Sequence, residues 1–172
     1  MEEEITIPKV RIGVLIGPDG RTKNDIINKT GTMIEIDSIS GEVFVSGENE
    51  KYFKAVEIVR AIGRGFSPER AMNLLKEDYY LRIVDVIEFT GKNESKQKVR
   101  RGRVIGKDGK AREMIEKKTK CFISVQGKTV AIIGKLNRID DAVEAVQMLL
   151  SGARHESTEG FLEHDKREEF KI

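Results

Sequence analysis

A repeated pair of closely spaced glycines is the feature that most constrains how this chain can fold. Gly106 and Gly109 stand three residues apart, directly after a short apolar run, and an amphipathic stretch with helical spacing follows them. Glycine allows the backbone to turn sharply and to approach a ligand without a Cβ in between. The simplest local structure is a helix, a tight Gly-x-x-Gly turn and a second helix. The first N–H groups of that second helix are then available to an anion.

The first half of the chain carries a second copy of this motif, in which Gly17 and Gly20 take the same places. The register extends beyond the glycines. Matching pairs include Ile16 with Ile105, Asp19 with Asp108, Ile26 with Ile115, and Thr30 with Thr119. Two copies with the same flanking pattern argue for an internal repeat of two units, each of about 75–90 residues.

The composition limits the class of protein. Charged residues make up 35% of the 172 residues, and no apolar run reaches the roughly 18 residues of a membrane helix. The acidic start, Met1 to Glu4, does not resemble a signal or transit peptide. The single Cys121 excludes an internal disulfide and fits a reducing cytosol. We therefore expect a cytoplasmic monomer that makes no membrane contact.

Positive charge is concentrated around the second glycine turn, although the whole chain has a net charge of only +2. Between Lys92 and Lys120 there are twelve Lys and Arg residues against four Asp and Glu, so the rest of the chain is net negative. A local excess of this kind is typical of a surface that binds a polyanion. The alternative is the solvated surface of a heat-adapted protein, but such surfaces mix both signs of charge and this stretch does not.

Apolar periodicity predicts the same order of elements in each unit: strand, helix, glycine turn, helix, two strands and a final helix. This order corresponds to an α+β fold, in which three helices cover one face of a three-stranded antiparallel sheet. The predicted boundaries are 1–65 for the first unit, 66–78 for a connecting helix, 79–153 for the second unit and 154–172 for a C-terminal tail. Ser67 as N-cap and Pro68 at the first helical position mark the start of the connecting helix. We expect this helix to hold the units in a fixed relation and the tail to be loosely held or only partly helical.

The glycine turn between two helices, followed by a strand pair and a long helix, resembles the KH domain. Because the strand pair follows the turn, the order is similar to the eukaryotic-type (type I) KH topology, βααββα. The resemblance covers nearly the whole chain, twice. It implies that the turn clamps about four nucleotides of single-stranded RNA through the sugar–phosphate backbone.

The segment that joins the two units resembles a more specific group within the KH proteins. The stretch from Ala61 to Leu75, together with Val104 to Lys110, resembles the tandem-KH ribosome-assembly proteins of the partner-of-Nob (Dim-two) family in its archaeal form. That resemblance implies binding near the 3′ end of small-subunit (16S) ribosomal RNA during maturation, alongside an endonuclease partner. In eukaryotic members the first unit lacks an intact glycine turn, whereas Gly17 and Gly20 are present here. This difference keeps an RNA-binding role open for the first unit.

The second turn is the main candidate site. Gly106 and Gly109 would let the RNA backbone approach, while Lys107 would contact a phosphate beside Asp108. The remaining candidates surround the turn: Lys110 and Arg112 at the start of the next helix, Arg100, Arg101 and Arg103 as an upstream basic track, and Ile105, Ile115 and Ile123 either beneath the bases or in the core. Because aromatic residues are only 6% of the chain and Trp is absent, we expect affinity to be mainly electrostatic and salt-dependent.

The first turn is the weaker candidate for RNA. Pro18 and Asp19 occupy its two middle positions, so no cation projects from it. The candidate residues in this unit are Gly17, Pro18, Asp19, Gly20, Arg21 and Lys23. Secondary RNA contacts and a protein-binding role both remain open for the first unit.

The sequence offers little for catalysis. Gly102 to Lys107 looks like a P-loop at first, but a P-loop needs four residues between its glycines and a Ser or Thr after its lysine, whereas Asp108 follows here. His155 and His164 both lie in the tail, where histidines are usually solvated. We therefore predict a binding protein that is not an enzyme and uses no metal or cofactor. The alternative function is a KH protein that binds single-stranded DNA or acts in transcription through the same groove.

Overall fold

The computed structural model describes residues 1–169, with side chains through residue 163. Contacts divide the chain into two compact units between Tyr79 and Tyr80. Each unit contains one three-stranded sheet and a set of helices, with a Gly-x-x-Gly turn between its first two long helices. The predicted α+β fold with two repeated units is confirmed.

The first unit has its third strand at the centre of the sheet, in the order β1-β3-β2. Its elements are β1 (Glu2–Thr6), α1 (Lys9–Ile16), α2 (Arg21–Thr30), β2 (Met33–Ile36), β3 (Glu42–Ser46), α3 (Tyr52–Gly63) and α4 (Pro68–Ala71). Both neighbours of β3 run antiparallel to it. The sequence predicted the antiparallel three-stranded sheet but not the order of its strands.

Alternation along the strands builds the core of the first unit. Val43 and Val45 of β3 are fully buried, and they pair with Ile5 of β1 and Ile34 of β2. Successive strand residues point to opposite faces, so these apolar side chains share the face that the helices cover. The alternation that begins at Ile5 predicts a strand that stops at or near Pro8, and β1 runs from Glu2 to Thr6. The apolar run from Ile12 to Ile16 predicts the first helix, but α1 already starts at Lys9, directly after Pro8, which lacks an N–H for the ladder.

The segment after α3 packs on the first unit. Ser67 caps α4, since its side-chain oxygen accepts the N–H of Arg70 at 3.3 Å. A 3-10 turn (Met72–Leu75) follows, and both Ala71 and Leu74 are fully buried. The turn lies against α3. The exact domain limits at residues 65, 78 and 153 stay predictions.

The second unit repeats this plan in the sheet order β4-β6-β5. Its elements are β4 (Tyr79–Asp85), α5 (Ile87–Thr90), α6 (Glu94–Ile105), α7 (Lys110–Thr119), β5 (Phe122–Gln126), β6 (Thr129–Lys135), α8 (Leu136–Leu150) and α9 (His155–Glu169). Central strand β6 is buried from Thr129 to Gly134, whereas β5 forms an edge of the sheet. Sequence periodicity predicts a longer strand here, over residues 79–89. The strand ends earlier because the Asp85 carboxylate accepts the N–H of Ile87 at 2.9 Å, and the short helix α5 begins there.

Residues 155–169 of the predicted tail form a helix, whereas the sequence predicted a loosely held or only partly helical segment; the last three residues of that tail, 170–172, lie outside the described part of the chain. Helix α9 packs against α7 and α8. Thr158 and Leu162, one turn apart, are buried along it. Charged residues surround these few inward positions, so the apolar pattern was too sparse to show a packed helix.

Candidate nucleic-acid interface

The turn between α6 and α7 has an unusual backbone. Gly106, Asp108 and Gly109 all have positive φ, at 75°, 56° and 74°. Glycine adopts this region at little cost, and Asp is among the few other residues that tolerate it. The motif therefore requires glycine at both ends of the turn, because the backbone there adopts the left-handed region with positive φ.

The two glycines of this turn meet different surroundings. A Cβ on Gly106 would lie 2.6 Å from the Cβ of Ala111 and 2.7 Å from its nitrogen, so the turn packs tightly on the first turn of α7. A Cβ on Gly109 would meet no atom within 4 Å. Gly106 closes the turn against α7, whereas Gly109 leaves an open backbone surface that a ligand can approach.

The first unit builds the same turn between α1 and α2. Gly17, Asp19 and Gly20 have φ values of 74°, 54° and 75°. A Cβ on Gly17 would lie 2.8 Å from the nitrogen of Thr22, which corresponds to the contact of Gly106 with Ala111. The backbones of the two turns match, so the two copies differ mainly in side-chain charge.

The two turns differ in the charge of their side chains, as the sequence indicated. Lys107 and Lys110 are exposed at the second turn, and α7 starts without a side-chain cap. The first turn has Pro18 where Lys107 stands, with Arg21 exposed and Lys23 half-buried nearby. Helix N-termini and exposed ammonium groups both favour an anion. The second turn is therefore the better anion site of the two.

The three arginines of α6 do not form one track. Arg101 donates from Nη1 to the carbonyl of Gly127, in the turn between β5 and β6. Arg103 lies on the opposite flank of the helix, where Nη2 donates to the carbonyl of Ala153 at 2.5 Å. The Arg100 guanidinium lies beside Gly152, on the same side as Arg103. Arg101 thus belongs to the flank near the strands, and the other two belong to the flank near the α8–α9 junction.

The three isoleucines that the sequence offers as candidates differ in their exposure. Ile105 ends α6 with 38% of its surface exposed, whereas Ile115 and Ile123 lie in the core. The Glu116 carboxylate accepts the N–H of Ile123 at 2.9 Å and lies 3.8 Å from Arg112 Nε, so α7 is tied to the edge strand. Ile105 is therefore the one of the three isoleucines that the structure leaves available to a base.

Sequence reasoning missed His155. This side chain is half-buried, and its Nε2 lies 2.9 Å from the carbonyl oxygen of Arg103, just before the glycine turn. A histidine in a charged tail carries no signal of its own, and the contact depends on α9 folding back over α7. The helix brings Glu159 to the same side of the turn.

Some side chains near the turns make contacts that stabilise the fold. Arg11, in the first turn of α1, donates to the carbonyls of Ile62 and Phe66 at 2.8 and 2.7 Å, and burial lowers its pKa. Cys121 is buried, and burial raises the pKa of its thiol.

Among the residues that the structure describes, no group of three or more His, Cys, Asp or Glu side chains is placed to hold a metal ion. Within that same part of the chain, no helix combines the length and apolar character needed to cross a bilayer.

Both units match models of one domain family. Residues 80–167 match the eukaryotic-type KH domain (KH-domain type I), in the form of the second KH domain of Pno1 proteins. Residues 2–61 match the KH domain. These two matches confirm the resemblance that the glycine turns indicated.

One similar protein matches nearly the whole chain, and a second matches just over half of it. A KH domain-containing protein of Methanocaldococcus jannaschii is 43% identical over 170 residues, which cover 96% of this chain and 74% of that protein. The pre-rRNA-processing protein pno1 of Aspergillus fumigatus is 30% identical over 102 residues, and the match spans 58% of this chain but only 40% of that relative.

Two solved structures from Pyrococcus horikoshii share the fold. The crystal structure of Dim2p has a TM-score of 0.87 at 44% identity, covering 95% of this chain and 99% of that chain. A chain in the crystal structure of the a/eIF2alpha-aDim2p-rRNA complex has a TM-score of 0.90 at 43% identity, covering 98% and 95%. The chain therefore belongs to the KH-domain family, as a tandem of two type I KH domains that resembles archaeal Dim2p.

Proposed function

We propose that this protein binds single-stranded RNA at the Gly106–Gly109 turn, near the 3′ end of small-subunit (16S) rRNA, during ribosome assembly. The observation that carries the proposal is the second turn itself. It combines the open backbone at Gly109 with the exposed ammonium groups of Lys107 and Lys110 at an uncapped helix start. The similar Pyrococcus chain in an rRNA complex and the similar pre-rRNA-processing protein support the choice of RNA.

The proposed mechanism divides the work between backbone and side chains. A KH turn holds about four nucleotides through their sugars and phosphates. The backbone of such a strand would pass over Gly109, while the ammonium groups of Lys107 and Lys110 neutralise phosphates. Ile105 would lie beneath a base in the groove, and Arg101 would border it near Gly127.

Further roles extend the proposal. The first unit would make secondary RNA contacts or bind a protein, because its turn has the same backbone but Pro18 in place of a cation. The protein would act as a cytoplasmic monomer without catalytic activity, and a maturation endonuclease would be its partner in cleavage. Binding to single-stranded DNA, in transcription, is the alternative that the same groove would allow.

The test is binding to RNA from the 3′ end of small-subunit rRNA, with matched DNA and scrambled RNA as controls. The paired variants Gly106→Asp with Gly109→Asp, and Gly17→Asp with Gly20→Asp, compare the two turns. Loss of RNA binding only with the first pair would mean that the second unit is the one that binds the RNA. Equal losses would indicate one extended site. Equal affinity for DNA would overturn the proposal.

A second comparison avoids the packed position Gly106, where a side chain disturbs the fold. The double variant Lys107→Ala with Lys110→Ala removes two charges from the turn. Its matched control, Lys92→Ala with Lys117→Ala, removes two exposed charges from the same basic stretch but away from the turn. We expect only the first double variant to lose most of the binding, with unchanged melting temperatures. Equal losses in both would mean that the stretch acts as a diffuse basic surface.

A further inference from the structure

A shallow cavity of about 200 Å³, largely open to solvent, lies beside the second glycine turn on the flank away from β5. The turn and the start of α7 form one wall, and His155 and Glu159 of α9 form the other. Lys110 and Met114 of α7 line it, whereas Glu116 of the same helix reaches the edge strand β5. The cavity is therefore separate from the proposed KH groove, which lies on the flank towards β5 and which Arg101 and Ile105 would border.

The wall formed by α9 is held in place by several contacts. His155 Nε2 donates to the carbonyl of Arg103 at 2.9 Å, since a carbonyl oxygen can only accept. Thr158 and Leu162 are buried beneath the helix. Lys118 Nζ lies 2.7 Å from a carboxylate oxygen of Glu163. The cavity is thus preformed and does not depend on a ligand to assemble it.

The lining combines the two kinds of surface that a nucleotide needs. Met114 and Ala111 supply an apolar floor, and the polarisable thioether of methionine suits the flat face of a base. Lys107 and Lys110 supply positive charge for a phosphate, and the one carboxylate of the lining, Glu159, lies 3.9 Å from the ammonium group of Lys118. In a neutral imidazole, Nδ1 of His155 remains an acceptor for a base N–H or a ribose hydroxyl, because Nε2 carries the hydrogen.

The size of the cavity restricts its occupant. Sites for drug-sized ligands usually enclose about 300–1,000 Å³, so this cavity suits a single nucleoside better than a stacked pair. We propose that it binds one additional nucleotide of the same single-stranded RNA, flanking the nucleotides held in the KH groove. This inference rests on the proposed RNA-binding function. It assigns α9 to the RNA-binding surface, where sequence reasoning had placed only a tail.

The test compares RNA lengths. Tetramers fill the KH groove alone, whereas hexamers from the 3′ end of small-subunit rRNA also reach the cavity. The variant Met114→Gln changes the apolar floor of the cavity, and His155→Gln changes the wall formed by α9. We expect each to weaken hexamer binding by about fivefold or more, through loss of the apolar floor or of the ring, and to leave tetramer binding unchanged.

Controls separate this inference from the function on which it rests. Leu136→Gln makes a similar apolar-to-amide change at an exposed position at the start of α8, and it should bind both lengths like the unchanged protein. Melting temperatures verify that α9 stays packed, and Met114→Gln, on α7, remains informative if His155→Gln loosens α9. Hexamer binding unaffected by both cavity variants would overturn the inference alone. Absence of RNA binding by the unchanged protein would overturn the proposed function as well.

Discussion

Lys118 Nζ lies 2.7 Å from Glu163 Oε1, and this ion pair joins α7 to α9. The hydrogen bond that the Lys118 ammonium donates to Glu163 raises the pKa of Lys118, against the opposing effect of desolvation. Glu159, one turn earlier on α9, lies 3.9 Å from the same ammonium group. One lysine of the helix after the glycine turn therefore contacts two carboxylates of the C-terminal helix.

Replacing Lys118 by alanine should loosen α9 without unfolding the second unit. Partly exposed ion pairs contribute little to global stability, so we expect a decrease of only a few degrees in melting temperature. Amide hydrogen exchange over residues 155–163 should accelerate markedly, because local opening depends on local contacts. Lys117→Ala, at an exposed position one residue earlier, should change neither quantity. Unchanged exchange in Lys118→Ala would mean that burial of Leu162 alone holds the helix.

The same ion pair predicts the direction of a pH effect. Because the folded state raises the pKa of Lys118, its contribution is fully present below the unfolded lysine value of about 10.4. It is lost as the pH rises through the higher folded-state value. The difference in melting temperature between the unchanged protein and Lys118→Ala should therefore be constant near neutrality and disappear at strongly alkaline pH. A difference that persists there would point to packing of the lysine stem instead of its charge.

Gly106 and Gly109 have different surroundings, so replacing each of them by alanine should lower the free energy of unfolding by a different amount. Gly109→Ala adds a Cβ in open space, and its cost is the left-handed backbone, about 1–2 kcal/mol. Gly106→Ala carries the same backbone cost and also drives the Cβ into Ala111, which adds about 1–3 kcal/mol. Urea unfolding of the two variants measures the difference. Equal free energies of unfolding would contradict the close packing of Gly106 on α7.

The repeat was sufficient to predict the fold because it constrained many residues at once. Gly17 and Gly106 demand the same backbone, and the matched isoleucines Ile26 and Ile115 occupy the same buried place after each turn. Strand and helix limits shifted by a few residues where one local group decided them. Pro8 is an example, since it moved the start of α1.

The site was predictable only in part. Gly109, Lys107 and Lys110 lie together because they are neighbours along the chain, so their positions followed directly from the motif. Arg101 and Arg103 are also close in sequence, but helix geometry separates them onto opposite flanks, where Gly127 and Ala153 bind them. The position of His155 depends on long-range packing of α9, for which a short charged segment carries almost no periodic signal.

Asp108 is predicted to limit affinity for RNA. Its φ of 56° suits Asp or Asn, so Asp108→Asn should leave the free energy of unfolding within about 0.5 kcal/mol of its original value. The change removes an exposed negative charge beside Lys107, where a phosphate is proposed to bind. We expect about two- to fivefold tighter RNA binding at low salt, and a smaller gain at high salt because exposed charges are screened. Asp19→Asn, at the matching position of the first turn, measures whether that unit also contacts RNA. Unchanged affinity in Asp108→Asn would place the phosphates away from this side chain.

The lysines of the second turn predict a specific change in salt dependence. For single-stranded nucleic acid, the logarithm of the binding constant falls with the logarithm of salt concentration by about 0.7 for each phosphate neutralised. Lys107→Ala and Lys110→Ala should each reduce this slope by about 0.7, and the double variant by about 1.4. Fluorescence anisotropy of a labelled RNA over a series of KCl concentrations gives the slope. Lys117→Ala serves as the control, since its exposed side chain lies on α7 away from the turn. A loss of affinity without a change of slope would mean that the lysines act through the fold or through a base, and not by neutralising phosphates.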